Sequence, residues 1–225
     1  TSANPLNDQW EFKGKLATPS DKWAIDGNVF EYNNQRYMAW SGWEGDANGQ
    51  QDLFIAKMSD PLTLSGKRVK ISSPTYPWER NGDLGTAGNP EQVYVNEGPQ
   101  FLEHNGKLFI VFSASGCWTD FYALGLLSLE GTDPMDSSAW TKKEKPIFQQ
   151  TPENSVYAPG HNSFFKSPDG TEDWILYHAN SNPGEGCGNK RAPRMQRLYW
   201  QEDGTPFIGT PLPTSVILPI PSENE

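Results

Sequence analysis

Short runs of apolar residues alternate with polar turns along the whole chain, and no long amphipathic helix pattern interrupts them. The clearest example is HNGK at 104–107, an Asn-Gly turn of the kind that closes β-hairpins. The residues that follow, KLFIVFS at 107–113, are mostly aromatic or β-branched, as is typical of strands. This pattern predicts an all-β chain built from hairpins.

Three segments with this pattern can be laid over one another, and they begin at Trp23, Val93 and Val156. Each has a polar residue at a Gly-bearing turn, a short apolar strand, a hairpin and a second apolar strand. Further strands follow, as in DLFIAKMSDP at 52–61 and AWTKKEKPIF at 139–148. Units of about four short strands are typical of β-propeller blades, so we predict a propeller with about three such units here.

The start of the chain resembles the junction between two of these units. QWEFKGKLATPSDKWAID at 9–26 is similar to AWTKKEKPIFQQTPENSVYAPGH at 139–161, where an outer strand leads into the next unit. We therefore expect the chain to open on the last strand of a blade. Propellers usually have at least four blades, so we expect at least one N-terminal blade outside this chain.

One polar residue stands at the start of the first strand of each unit: Asp26, Glu97 and His161, spaced 71 and 64 residues apart. In a propeller these strands line the central axis, so we expect the three side chains to converge. Two carboxylates and an imidazole in a funnel are a general acid–base arrangement. Asp26 could instead only shape its turn, and His161 could be a core histidine, whereas Glu97 is a poor turn residue.

The charge of the chain limits its partners. Its net charge is −10 and its pI about 4.8, so nucleic acid and anionic membranes are repelled whereas a neutral substrate is not. No apolar run approaches the roughly 18 residues of a membrane span.

Nine tryptophans are many for a chain of this size, and they either fill a β core or stack on sugar rings. Trp43 lies in the polar loop GWEGDANGQQ and Trp118 in a Gly-flanked loop, which makes both candidate sugar platforms. Trp78 is the third candidate, and packing within the blades is the alternative for each. Two cysteines in Gly-rich loops, Cys117 and Cys187, favour one disulfide and thus an oxidising compartment.

Five stretches taken together resemble glycoside hydrolase family 43: IDG at 25–27, VNEGP at 95–99, GHNSF at 160–164, SASGCWTDFYALGLL at 113–127 and QRLYWQEDGTPFIGTP at 196–211. The resemblance implies a five-bladed β-propeller, of which this chain supplies roughly blades 2–5 and the last strand of blade 1. Residues 1–225 would then form a partial catalytic domain. ISSPTYPWE at 71–79 and the opening residues are most similar to the family's secreted α-L-arabinofuranosidases, fungal ones especially, which implies an extracellular enzyme.

The resemblance also implies a role for each polar residue. Glu97 matches the family's general acid, and Asp26 matches the carboxylate that adjusts the pKa of that acid and orients it. His161 matches an axial histidine that contacts substrate and in many members holds a water or a calcium ion, although no cofactor is required. Arg194 matches a substrate-binding arginine, with Arg191 as the other candidate.

The general base of the family is an aspartate in the first blade, and we assign no residue of this chain to that role. Asp8 and Asp21 are the only aspartates before Asp26, and both fall in the outer-strand or inter-blade segment. Inversion needs a base that activates water opposite the acid. The chain alone is therefore expected to be inactive without its N-terminal part, which could pair with it as a separate fragment.

The resemblance favours an inverting hydrolase that releases L-arabinofuranose from arabinan or arabinoxylan. A β-xylosidase or endo-arabinanase of the same fold is an alternative. A non-catalytic sugar-binding propeller is another, since the blade with the base is missing. A levan- or sucrose-acting hydrolase fits less well, because a histidine stands at the third axial position.

Overall fold

The computed structural model describes residues 1–7, 9–82 and 93–223, so Asp8 lies outside the described residues. No α-helix occurs in these ranges, which confirms the predicted all-β class, and none of their helices is long and apolar enough to cross a membrane. Three short 3₁₀ helices cover Pro77–Glu79, Ser137–Ala139 and Pro152–Asn154. The strands are Ala24–Tyr32 (β1), Gln35–Gly42 (β2), Gln50–Asp60 (β3), Thr63–Ser72 (β4), Tyr94–His104 (β5), Lys107–Ala114 (β6), Ala123–Leu129 (β7), Trp140–Lys142 (β8), Tyr157–Lys166 (β9), Asp173–Asn180 (β10), Ala192–Trp200 (β11) and Pro206–Phe207 (β12).

The described strands form three antiparallel meanders of four strands each: β1–β4, β5–β8 and β9–β12, here called the first, second and third unit. A short parallel pairing of β3 with β5 joins the first two units into one eight-stranded sheet. The third unit is a separate sheet. These units correspond to the three repeats that the sequence predicts.

The hydrophobic core lies between neighbouring units, and strand β6 shows how it is built. Side chains alternate between the two faces of a strand. Ile110 and Phe112 therefore pack into a cluster with the first unit, whereas Phe109 and Val111 pack into a cluster with the third. Because β6 is buried on both faces, its sequence is continuously apolar rather than alternating.

The meander topology brings three loops to one edge of the molecule. In each unit the second strand ends where the first begins, so the connection to the third strand lies beside that start. These connections are residues 43–49, 115–122 and 181–191, and together they are called the mouth.

The N-terminal segment differs from the prediction. Residues 9–23 form no strand, although an outer strand was expected there. A strand needs a hydrogen-bonded neighbour, and this segment pairs with none of the described strands. Trp10 and Phe12 are 62% and 89% exposed, as expected for side chains without a packing partner.

Candidate active site

Three β-bulges shape the centre of the molecule, one near the start of the first strand of each unit. They interrupt the pairing at Ile25–Asn28 in β1, Glu97–Gln100 in β5 and Gly160–Ser163 in β9. A bulge leaves residues outside the ladder and redirects their side chains, so it places polar groups where a regular strand would not. The same device in all three units creates one shared polar centre.

The bulges also correct the predicted register. Asp26 and His161 have φ angles of 57° and 49°, and the residue of β5 with the same left-handed conformation is Gly98, at 56°. Glu97 therefore lies one position before the residue equivalent to Asp26 and His161. Non-glycine residues at such angles are strained, and strain of this kind is concentrated at functional sites.

The three predicted side chains nevertheless converge. His161 Nε2 lies 3.8 Å from Asp26 Oδ1, and His161 Nδ1 lies 3.9 Å from Glu97 Oε1. The backbone N–H of Gly98 donates a hydrogen bond of 3.1 Å to Asp26 Oδ2, which ties β1 to β5. The side chains of Asp26, Glu97 and His161 are 21%, 13% and 42% exposed, so all remain accessible from the mouth.

Tyr122 is a member of this cluster that the sequence did not reveal. Its hydroxyl donates to Glu97 Oε1 at 2.6 Å and lies 3.2 Å from His161 Nδ1. Burial, and next the negative charge of Glu97, raise the pKa of Tyr122 well above its ordinary value, so the hydroxyl stays a donor. Gly160 makes room for it, because a Cβ there would lie 2.4 Å from the Tyr122 ring.

The charges of the cluster depend on one another. Burial and the charge of Glu97 raise the pKa of Asp26, although His161 and the Gly98 hydrogen bond oppose them. The nearby carboxylate of Glu97, and then that of Asp26, raise the pKa of His161 against the effect of burial. An imidazole whose cationic form is more favoured than usual therefore lies between two carboxylates, and Asp26 favours its neutral form more than usual.

His178 and Arg191 extend the cluster into the third unit. The His178 ring stacks on Tyr122, with ring centres 5.8 Å apart, and on His161, at 6.1 Å. Arg191 Nη1 lies 3.0 Å from His178 Nε2. A guanidinium only donates, so Nε2 accepts and the ring proton lies on Nδ1. Burial, and then the charge of Arg191, lower the pKa of His178 to about 4, so this ring is neutral.

A cleft of about 360 Å³ opens beside these residues. Its volume lies at the lower end of the range for small-molecule sites. Its walls combine polar groups with the apolar surface of Leu176, Tyr177 and Pro193. The polar part of the lining consists of His161, Ser163, His178 and Arg191.

Arg191, rather than Arg194, is the arginine at this cleft. In the pairing of β10 with β11, His178 lies opposite Pro193, and Tyr177 lies opposite Arg194 at the next position. Side chains alternate between the faces of a sheet, so Arg194 points away from the face that carries His178. It is 9% exposed, donates to Ser181 Oγ at 2.9 Å, and lines a different cavity. The substrate contact predicted for Arg194 does not fit this position.

Two of the predicted tryptophan platforms lie at the mouth. Trp43 is half-buried and stacks on Trp23, with ring centres 4.8 Å apart, beside the start of β1. Trp118 is half-buried in the second mouth loop and covers Gly116, where a Cβ would lie 2.3 Å from the indole. Their place at the mouth leaves both as candidate sugar contacts.

Trp78, the third predicted platform, packs partly against the core. Its indole N–H donates to the carbonyl of Glu144 at 2.9 Å, and its ring packs against Phe112 and over Gly125. The half-buried ring therefore packs on the core between the first and second units, and a sugar contact for Trp78 stays a prediction.

The predicted disulfide joins two of the mouth loops. Cys117 and Cys187 are bonded, with a Cα–Cα distance of 5.4 Å. Asp120 reinforces the connection, because its carboxylate accepts the N–H of Gly184 at 2.8 and 3.0 Å. The second and third units are thus fastened together beside Tyr122.

A calcium ion near His161, which the family resemblance implied, stays a prediction. The described residues contain no group of three or more His, Cys, Asp or Glu side chains placed to hold a metal ion. Calcium takes six to eight oxygen ligands.

Comparisons with known proteins find relatives for most of this chain. The family model of glycosyl hydrolases family 43 matches residues 1–206. The chain is 38% identical, over 96% of its length, to an extracellular exo-alpha-(1->5)-L-arabinofuranosidase of Streptomyces avermitilis. It is 37% identical, over 94% of its length, to alpha-L-arabinofuranosidase 43 of Humicola insolens. It spans less than half of these relatives, 44% and 43% of their lengths.

A solved structure is similar as well. The crystal structure of an alpha-L-arabinofuranosidase from Lactobacillus brevis superposes with a TM-score of 0.82 and 34% sequence identity. The match covers 95% of this chain and 65% of that one.

Proposed function

The chain belongs to glycosyl hydrolases family 43, and on that premise we propose that it carries the acid half of an inverting glycosidase that releases L-arabinofuranose from arabinan or arabinoxylan. The observation that carries the proposal is that the carboxylates of Asp26 and Glu97 lie 3.8 and 3.9 Å from the His161 ring, beside an open cleft. We take the sugar from the relatives, which are named as arabinofuranosidases.

In this proposal Glu97 gives its proton to the glycosidic oxygen as the bond to the anomeric carbon breaks. Tyr122 holds Glu97 Oε1, so Oε2 is the oxygen that delivers the proton. Asp26 and His161 set the charge around the acid. Arg191 and His178 line the cleft in which the sugar binds, and Trp43 and Trp118 contact it from the mouth.

Inversion also requires a base that takes a proton from the attacking water on the opposite side of the sugar. Asp21 does not fit this role, because it is exposed and forms an ion pair with Lys15. We propose that the base is an aspartate in another blade of a five-bladed propeller. The relatives, which are more than twice as long, are consistent with such a part. The chain alone would then bind sugar without cleaving it.

An extracellular location completes the proposal. The Cys117–Cys187 disulfide is stable in an oxidising compartment, and the Streptomyces avermitilis relative is named as extracellular.

The test is Glu97→Gln in the protein at its natural full length. We expect hydrolysis of arabino-oligosaccharides to fall by about 10²–10⁴, because a poor leaving group needs the proton. Hydrolysis of p-nitrophenyl arabinofuranoside should fall much less, because its leaving group departs without one. Glu103→Gln is the matched control, since Glu103 is an exposed glutamate on the same strand.

Equal losses on both substrates would show that Glu97 is not the acid. A wild-type protein that binds arabino-oligosaccharides but cleaves neither substrate would replace the proposal with a non-catalytic sugar-binding module.

A further inference from the structure

A buried ion pair lies behind Glu97, and the proposed mechanism does not use it. Glu79 is 0% exposed, and Lys142 Nζ lies 2.8 Å from its Oε1. Burial lowers the pKa of Lys142, although Glu79 opposes this. Buried ion pairs seldom add net stability compared with apolar side chains of similar size, so this pair invites an explanation beyond stability.

The Glu79 carboxylate organises the segment that links the first and second units. Its Oε2 accepts the backbone N–H groups of Thr75 at 2.8 Å and Tyr76 at 2.7 Å. Its Oε1 accepts the side-chain amide of Asn96 at 3.0 Å. Lys142 balances the charge that these acceptors carry.

Asn96 is held from three sides and directly precedes Glu97. It is 0% exposed, and its Oδ1 accepts the hydroxyl of Ser72, on β4, at 2.7 Å. Its backbone carbonyl accepts the hydroxyl of Ser41, on β2, at 2.8 Å. With Glu79 on its amide nitrogen, Asn96 is fastened to the first unit although it belongs to the second.

We propose that Asn96 and Glu79 are positioning residues that set the direction of the Glu97 side chain, an assignment that rests on the proposed function. The β5 bulge begins at Glu97, so pairing to β6 does not hold the residues that follow it. The contacts of Asn96 fix the backbone on one side, and Tyr122 fixes the carboxylate at the far end. A displacement of about 1 Å of a catalytic group can cost 10² in rate.

The test compares two substrates in the full-length protein, because a positioning role and a purely structural role affect them differently. In Asn96→Ala we expect the kcat for arabino-oligosaccharides to fall by about 10–100-fold more than the kcat for p-nitrophenyl arabinofuranoside, with little change in KM. Ser72→Ala removes one donor to Asn96 and keeps the ion pair. It should therefore cause the same preferential loss of kcat on arabino-oligosaccharides, but a smaller one.

Gln196→Ala is the matched control. Gln196 is another buried amide, 3% exposed, whose Nε2 donates to the carbonyls of Ile208 and Thr210. It lies on β11, and its hydrogen bonds reach Tyr177 of the cleft wall but not Asp26, Glu97 or Tyr122. Its loss should lower activity on both substrates by the same factor, as expected for a general loss of folded protein.

A further variant tests Glu79 itself. Glu79→Gln combined with Lys142→Met removes both charges together, so no unpaired buried charge is left. We expect it to reproduce the substrate-dependent loss of Asn96→Ala, because the acceptor for the Asn96 amide is weakened. If the ratio of kcat on the two substrates were the same in this variant as in the wild type, Glu79 would not be a positioning residue.

Equal losses on both substrates in Asn96→Ala and Ser72→Ala would overturn the inference. If Glu97→Gln still lost more activity on arabino-oligosaccharides than on p-nitrophenyl arabinofuranoside, the proposed function would survive that result. If Glu97→Gln also lost activity equally on both substrates, the proposed function and the positioning assignment would both be wrong.

Discussion

At the scale of single residues, two stacked histidines of the site have opposite protonation preferences. His161 faces two carboxylates, which raise its pKa, whereas burial and next the charge of Arg191 lower the pKa of His178 to about 4. The stabilising effect of His161 is therefore present below its unfolded pKa near 6.5 and is lost as pH rises through its folded pKa. The stabilising effect of His178 is present above pH 6.5 and is lost as the pH falls towards its folded pKa of about 4.

The lowered pKa of His178 predicts a pH-dependent change in stability. Between pH 6.5 and 4.5 the wild-type chain should lose about 2 kcal/mol of unfolding free energy more than His178→Gln, after allowance for partial exposure. The amide oxygen of the glutamine can still accept from Arg191 but does not titrate. Urea unfolding at the two pH values measures the difference, and identical pH dependence in both proteins would contradict it.

Arg191 and Arg194 provide a matched pair of variants. Arg191→Ala should lower kcat/KM on arabino-oligosaccharides by about 10–100-fold with little loss of stability, because Arg191 lines the cleft. Arg194→Ala should instead cost about 1–3 kcal/mol of unfolding free energy, since its buried hydrogen bonds to Asn180 and Ser181 are lost. Steady-state kinetics and urea unfolding separate the two, and the reverse pattern would return Arg194 to the site.

The sequence revealed some site residues and hid others for a physical reason. Asp26, Glu97 and His161 were visible because each is polar at the start of an apolar strand. Tyr122 and His178 were not, because an aromatic ring inside an apolar stretch is typical of the core. The signal for Tyr122 was its place directly before β7, at the end of a mouth loop. The one-residue error at Glu97 arose because the repeats were matched by polar residue type, whereas the position equivalent to Asp26 and His161 is occupied by Gly98.

At the scale of elements, local turn chemistry was readable and non-local pairing was not. The hairpin turns at Asn33–Asn34 and Asn105–Gly106 adopt positive φ angles, which Asn and Gly tolerate, so those hairpins were predictable. The strand predicted within 9–23 did not form, because its residue pattern says nothing of whether a partner strand lies beside it. The identity of Arg191 as the cleft arginine likewise depended on strand register.

The disulfide between the second and third units predicts a measurable gain in stability. It links residues 70 apart, and the loss of chain entropy in the unfolded state for such a loop is worth about 4 kcal/mol. Replacing both Cys117 and Cys187 with serine should lower the unfolding free energy by about that amount. Urea unfolding checks this, with reduced wild-type chain as the control. A change below about 1 kcal/mol would show that Asp120 and the core fasten the two units without it.

At the scale of the whole molecule, the site exists only because three units are packed side by side. Each unit contributes one bulge, and the two core clusters on either side of β6 fix the distances between those bulges. The repeat in the sequence predicted the three units, whereas the family was suggested by the resemblance of five short motifs. The separation of the side chains depends on how the sheets pack, which no spacing along the chain encodes.

The most direct test of the account is an NMR titration of the three histidine rings of this chain, with His161 assigned by His161→Gln. The account predicts that His161 titrates above the ordinary value near 6.5, and that Glu97→Gln and Asp26→Asn each lower its pKa towards 6.5. Glu103→Gln should leave it unchanged. A His161 that titrates near 6.5 and responds to neither variant would show that the three side chains do not meet.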